Sequence, residues 1–284
     1  MDRCYSLRMV FAQLLFPDFA LILCGYLVCR HTPLNRTVWE PVEMLVYFLL
    51  FPILLFHSIV KSPLDLSATS SLIGAGWALA LTGIALAYSL PYWPWLRRFV
   101  PAREYAASAQ VAFRFNSFIA LALAERLAGP QGLLLIAVLI GVCVPLMNVA
   151  AVWPMARQGQ RGFLRELIRN PLILGTGSGL LAAGAGMHLG ALGHTKALSA
   201  ALLTIRHVLL PLAALGFAAL FGLDAIQTTV LLTFSALPTA SSAYVLAARM
   251  GYDGAHVAAL VTLSTLLGML SLPFALGTLR GLSG

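Results

Sequence analysis

The sequence predicts an all-α polytopic membrane protein, and three observations carry that prediction. Of 284 residues, 60% are hydrophobic and only 10% charged, where soluble domains carry about 25% charge. Apolar stretches long enough to cross a bilayer, which takes roughly 20 residues, recur about nine times and use roughly 180 positions. The remainder, about ten residues per connection, holds no soluble domain. An ordinary soluble enzyme is thereby excluded. So is a built-in ATPase, because no G-x-x-x-x-G-K-[ST] phosphate loop occurs.

In chain order the expected spans are Val10 to Val28, Glu43 to Val60, Ser71 to Trp93, Ala107 to Leu127 and Gly132 to Val152. Each is bounded by charge or by Pro and Gly. The first run is a span and not a cleaved leader, since Pro17 and Asp18 interrupt it and Cys29-Arg30-His31 follows without a small-residue cleavage site. After a basic connection, Met155 to Arg169, come Pro171 to Leu192, Ala200 to Phe221, Gln227 to Ala248 and His256 to Leu279.

The formal charge of +8 comes from 18 basic residues scattered between apolar runs. They read as membrane-flanking charges, with the lipid bilayer as partner and no nucleic acid. Arg30, Arg36, Arg97, Arg98, Arg103, Arg157, Arg161, Arg165 and Arg169 fall in the first, third and fifth connections, against Arg3, Arg8, Lys61 and Arg126 opposite. Because Lys and Arg resist translocation, those connections are expected in the cytoplasm and the N-terminus outside. Cys4, Cys24, Cys29 and Cys143 lack metal-ligand spacing. No metal, cofactor or catalytic residue is expected.

Two segments resemble one another. Leu123-Ala124-Glu125-Arg126-Leu127 precedes Gly129-Pro130-Gln131-Gly132, and Leu246-Ala247-Ala248-Arg249-Met250 precedes Gly251-Tyr252-Asp253-Gly254. Such a repeat pairs the fourth span with the next-to-last and sets Asn116 opposite Thr239. An odd step of five spans between copies inverts their orientation. A count of nine gives a step of four, and the second half is short by roughly one helix.

In hydrocarbon every backbone polar group needs a partner, so a break in a spanning helix points to a protein-lined cavity. The strongest candidate is Ala236-Leu237-Pro238-Thr239-Ala240-Ser241-Ser242-Ala243-Tyr244, where Pro238 cannot donate and three hydroxyls cluster. A kinked helix whose Ser and Thr bond back to carbonyls is the plainer reading. Its partner is Phe113-Arg114-Phe115-Asn116-Ser117-Phe118. Arg114 is read as a substrate contact or as a side chain snorkelling to headgroups. Asn116 is too short to snorkel and is read as a ligand contact, against an interhelical hydrogen bond.

Val144-Pro145-Leu146-Met147-Asn148 combines a kink with a second amide, and Pro145 and Asn148 are expected to pack or to line the site. Asp18, Glu43, His57, Arg206 and His207 lie near expected span ends, where a solvated or headgroup-contacting side chain is the default. His57 and His207 are secondary candidates for proton relay. The glycines from Gly175 to Gly186 read as close helix packing.

At these residues the chain resembles the auxin efflux carrier family, in its bacterial permease branch that includes proposed malonate and malate carriers. The matching stretches are residues 47–56, the Arg114-Phe115-Asn116-Ser117 core, Val144-Pro145-Leu146-Met147-Asn148-Val149, Arg169-Asn170-Pro171-Leu172, and residues 238–247. The resemblance implies two inverted five-helix repeats whose fourth and ninth helices are broken and cross at the substrate site. Here they would be 1–153, with five spans, and a shortened 169–284, with about four, joined by a basic cytoplasmic connection at 154–168.

It further implies a multi-pass protein of the bacterial cytoplasmic membrane that carries a small organic anion by alternating access, with the half-helix dipoles facing a carboxylate. On matching positions, Asn116 and Ser117 line the first crossover, and Pro238, Thr239, Ser241 and Ser242 the second. Arg114 is grouped with them, Tyr244 is a further lining residue, and a homodimer is left open.

Two departures stand out. The family often has a proline shortly after that Asn, whereas Phe118-Ile119-Ala120-Leu121 has none, which puts unwinding of the first crossover in question. The sixth and seventh helices look fused, so Pro171 to Leu192, with about 22 residues, is expected to cross once or to make two half-crossings. One crossing places the C-terminus in the cytoplasm. The competing readings are an integral-membrane enzyme on a lipid or isoprenoid substrate, and a degenerate, non-transporting relative. The former lacks a D-x-x-D or H-x-x-E pair within a span.

Overall fold

The computed structural model describes Val28, Thr32 and residues 66–158, 195–240 and 242–282. The first expected span apart from Val28, and the second and sixth, with His57, Asp18, Glu43 and the Gly175 to Gly186 cluster, lie outside the described residues. Within them all regular structure is helical, and four helical stretches are long and apolar enough to cross a bilayer. The chain is a multi-pass membrane protein.

Helix α1 spans Leu66–Ser89, and the chain turns through Leu90–Tyr92 and Arg97–Phe99 into α2, Ala102–Ser108. A tighter turn, Ala109–Ala112, prolongs α2. Regular structure then stops at residues 113–116 and resumes in α3, Ser117–Gln158, which bends at Gly129 into a short first limb and a long second one. Gly129 has φ 63°, a left-handed conformation that glycine adopts without a Cβ clash.

Helix α4, Lys196–Thr204, runs through a π-helical turn at Ile205–Leu209 into α5, Leu210–Leu220. Helix α6, Ala225–Ala236, starts on a capping box of Asp224 and Gln227. A second interruption at residues 237–240 precedes α7, Ser242–Arg249, and a turn at Gly251, φ 78°, leads into α8, Gly254–Leu282. Both broken helices therefore read helix, break, short helix, glycine turn, long helix.

Long-range hydrogen bonds fix the ends of these helices in space. Arg103 donates to the Gly251 carbonyl at 2.6 Å, the Tyr252 hydroxyl donates to the Met155 carbonyl at 2.7 Å, and Thr195 meets His256 at 3.4 Å. Tyr105 reaches the Ala87 carbonyl at 3.3 Å. The close of α1, the starts of α2, α4 and α8, and the close of α3 thus share one end of the bundle, here the Arg103 end. The opposite end holds the Gly129 bend and Phe221, whose ring lies against Gly74 near the start of α1. Consequently α1, the broken helix α2–α3 and the second limb of α3 run in directions opposite to α4–α5, the broken helix α6–α7 and α8.

Candidate functional site at the crossing of two broken helices

A helix that stops in an apolar interior strands carbonyls on one side of the break and N–H groups on the other. Here each break supplies partners for the other. The Asn116 N–H donates to the Pro238 carbonyl at 3.0 Å, and the Thr239 hydroxyl donates to the Val111 carbonyl at 2.7 Å. Asn116 and Pro238 therefore lie together, as the sequence pairing expects. Thr239 reaches back to Val111, while Pro238 faces Asn116. Phe115 packs on Phe234 with ring centroids 4.4 Å apart, so an aromatic contact accompanies the polar one.

The first break forms without a proline. Asn116 caps α3 instead, its Oδ1 accepting from the N–H groups of Phe118 at 3.1 Å and Ile119 at 3.3 Å. Its Nδ2 and the hydroxyl of half-buried Ser117 make no hydrogen bond among the described residues. The second break rests on Pro238, which holds Leu237 extended at φ −59°, ψ 147°. Helix α8 comes close enough that a Cβ on Gly268 would meet Pro238 at 3.3 Å.

Two guanidinium groups flank the crossing. Arg114 is only 3% exposed, which rules out the snorkelling reading; it donates to Gln110 Oε1 at 2.7 Å and to the Ser242 hydroxyl at 2.8 Å. Gln110 Nε2 continues to the Ala243 carbonyl at 3.1 Å, tying α2 to the start of α7. Arg206 is 1% exposed, a correction to its expected place at a solvated span end. It donates to the Leu237 carbonyl at 2.7 Å, Phe234 at 3.2 Å and Phe113 at 3.5 Å. The cation thereby sits at the C-terminal, negative ends of both interrupted helices.

The misplacement of Arg206 has a local origin. The helix begins at Lys196 and not near Ala200, so Arg206 lies near the midpoint of the 25-residue stretch Lys196–Leu220. Pro211 cannot bond the carbonyl of His207 four residues back, and the π turn absorbs the fault with one extra residue, as such turns do at functional sites. A proline four residues after an Arg-His pair inside an apolar run was the available signal. His207, expected at the same solvated end, is likewise buried; its ring bonds two serines of α8 and touches neither break directly.

The remaining expected residues divide. Ser242 is buried at the start of α7 and Tyr244 is half-buried two residues on, while Ser241 lies outside the described residues. Asn148 is buried in the second limb of α3, and its Oδ1 has no hydrogen bond among the described residues. Pro145 is exposed, and α3 continues through it unbroken.

A family model described as membrane transport protein matches residues 134–276, half of the chain, from the second limb of α3 to most of α8. The match contains the second break, Arg206 and His207. No curated protein matches the chain.

Proposed function

Because the chain belongs to the membrane transport protein family, the auxin efflux carriers, we propose that it is a secondary carrier of a small organic anion, most simply a carboxylate, working by alternating access. The observation that carries the anion is the pair of buried guanidinium groups, Arg114 and Arg206, at the crossing of two broken helices. Buried cations are costly in hydrocarbon and mark substrate paths. Beside them, Asn116 Nδ2 and the Ser117 hydroxyl offer donors at the positive end of α3.

Alternating access is supported by the opposed directions of α1 to α3 and α4 to α8, the arrangement of inverted repeats, in which one bundle rocks against the other around a fixed site. The anion would then bind between the two breaks. Each break presents a helix N-terminus there, at Ser117 and at Ser242.

Gln158 and Thr195 close and open their helices at the same end, and Pro171 to Leu192, expected to cross once or to make two half-crossings, lies outside the described residues. Arg97, Arg98, Arg103, Arg157, Lys196 and Arg249 lie at the Arg103 end, against Arg126 and Arg280. That bias supports a reading with the Arg103 end in the cytoplasm of a bacterial inner membrane and the close of α8 outside. A reporter fused after Gly284 is expected to be accessible in intact cells, and an internal reporter contradicts this.

The reading is tested by counterflow in proteoliposomes with radiolabelled mono- and dicarboxylates. At least one is expected to exchange. Asn116→Ala and Ser241→Ala should reduce exchange while the protein stays in the membrane, and wild-type rates in both variants at equal expression sink the site assignment.

A further inference from the structure

We propose that His207 is a proton-loading site that couples anion movement to proton movement through Ser264 and Thr239. The imidazole bridges two hydroxyls one above the other on α8, with Nε2 to Ser264 Oγ at 2.8 Å and Nδ1 to Ser271 Oγ at 2.9 Å. Ser264 Oγ in turn donates to Thr239 Oγ1 at 3.1 Å and accepts from the Thr239 N–H at 2.9 Å. Since the Thr239 hydroxyl donates to the Val111 carbonyl, an unbroken hydrogen-bonded chain joins the imidazole to both broken helices.

Counting hydrogens assigns the ring. A hydroxyl has one proton to give. That of Thr239 is committed to Val111 and that of Ser264 to Thr239, so Nε2 must carry the hydrogen toward Ser264. Nδ1 then holds the free lone pair and accepts from the Ser271 hydroxyl. Ser271 is half-buried and lies beyond Gly268 toward the Gly129 end. Its hydroxyl can rotate to accept, which lets Nδ1 take a proton from that end without disturbing the bonds to Thr239.

The surrounding charges explain why loading would follow the anion. Arg206 is the adjacent residue on the same turn. Of the elements packed on this turn, α1 brings only Tyr88, α4 only Lys196 at its first position, and residues 109–112, α5 and α6 bring none. Helix α8 carries His256 near its start and Arg280 near its close. No carboxylate of these elements faces the ring, so among the described residues an imidazolium in the empty carrier would sit beside a guanidinium without a counter-charge. A bound organic anion supplies that charge. The proton enters at Nδ1, travels as the imidazolium with the anion, and returns to water on the far side.

This inference rests on the carrier reading, and the experiment separates the two. Purified full-length protein in proteoliposomes is given the carboxylate that exchanges best, with the membrane potential clamped. An imposed gradient of one pH unit, acidic on the side from which the anion enters, should drive about tenfold accumulation if one proton accompanies each anion. His207→Gln keeps a donor for Ser264 and an acceptor for Ser271; it should exchange at saturating anion but accumulate about onefold. Ser271→Ala, a milder change, should slow pH-driven accumulation by about tenfold with exchange intact, and it serves if His207→Gln does not fold. Exchange without pH-driven accumulation in the wild type overturns the inference and leaves the carrier reading standing. Wild-type accumulation in folded His207→Gln, or a wild-type rate of accumulation in folded Ser271→Ala, also overturns it. Absence of exchange for every carboxylate removes the carrier reading and the coupling with it.

Discussion

The break at residues 237–240 and the break at residues 113–116 do the same geometric work from different causes. In the second, Pro238 removes a donor and biases Leu237 to extended backbone, so the local sequence itself favours a stop there. In the first, nothing in Phe113-Arg114-Phe115-Asn116 forbids helix. The interruption holds because Asn116 caps the following helix, Pro238 accepts its N–H, and Arg206 takes the Phe113 carbonyl. One break is written into the chain, and the other exists only opposite its partner. A helix break therefore needs no proline where the facing element supplies the missing hydrogen bonds.

Three substitutions sharpen that contrast. The largest effect is expected from Arg206→Ala, which strands carbonyls of both breaks at once; each buried acceptor left without a partner costs about 1–3 kcal/mol, so the loss should be about 3 kcal/mol or more. A thermal melt in detergent should show collapse, with Arg206→Lys intermediate because an ammonium cannot span the same carbonyls. Equal stability of Arg206→Ala and wild type breaks the account of both breaks.

Thr239→Val comes next. It removes the bonds to the Val111 carbonyl and from Ser264 while leaving Pro238 in place. At about 0.6 kcal/mol for an average bond between membrane helices, and up to about 1.7, the cost should be about 1–2 kcal/mol. The smallest effect belongs to Asn116→Ala, about 1 kcal/mol for a lost cap. Hydrogen exchange should separate the breaks: in Asn116→Ala the N–H groups of Phe118 and Ile119 exchange faster while the second break is unchanged. Equal loosening of both would mean that the first break has no independent cap.

The legibility of the site follows the same division. The second break was readable because Pro and clustered hydroxyls in an apolar run are locally anomalous, and Asn116 was readable because a short amide there has no water to reach. Arg206 and His207 were not, because a few residues' error at the start of α4 moved them from the middle of a span to its edge. Charge and helix length cannot by themselves distinguish a snorkelling cation from one held at two helix C-termini. The relative directions of the described helices were likewise hidden, since contacts such as Arg103 with Gly251 join residues far apart in sequence.

By itself the sequence determined that the chain is helical and membrane-spanning, where the broken helices lie, and that they belong together, because hydrophobic length and interrupted backbone donors are properties of a local stretch. Only the tertiary structure decided which groups satisfy those interruptions. Hydrogen-bond partners across 128 residues, as between Thr239 and Val111, are chosen by packing, and burial makes each polar atom accept whichever partner the facing helix presents.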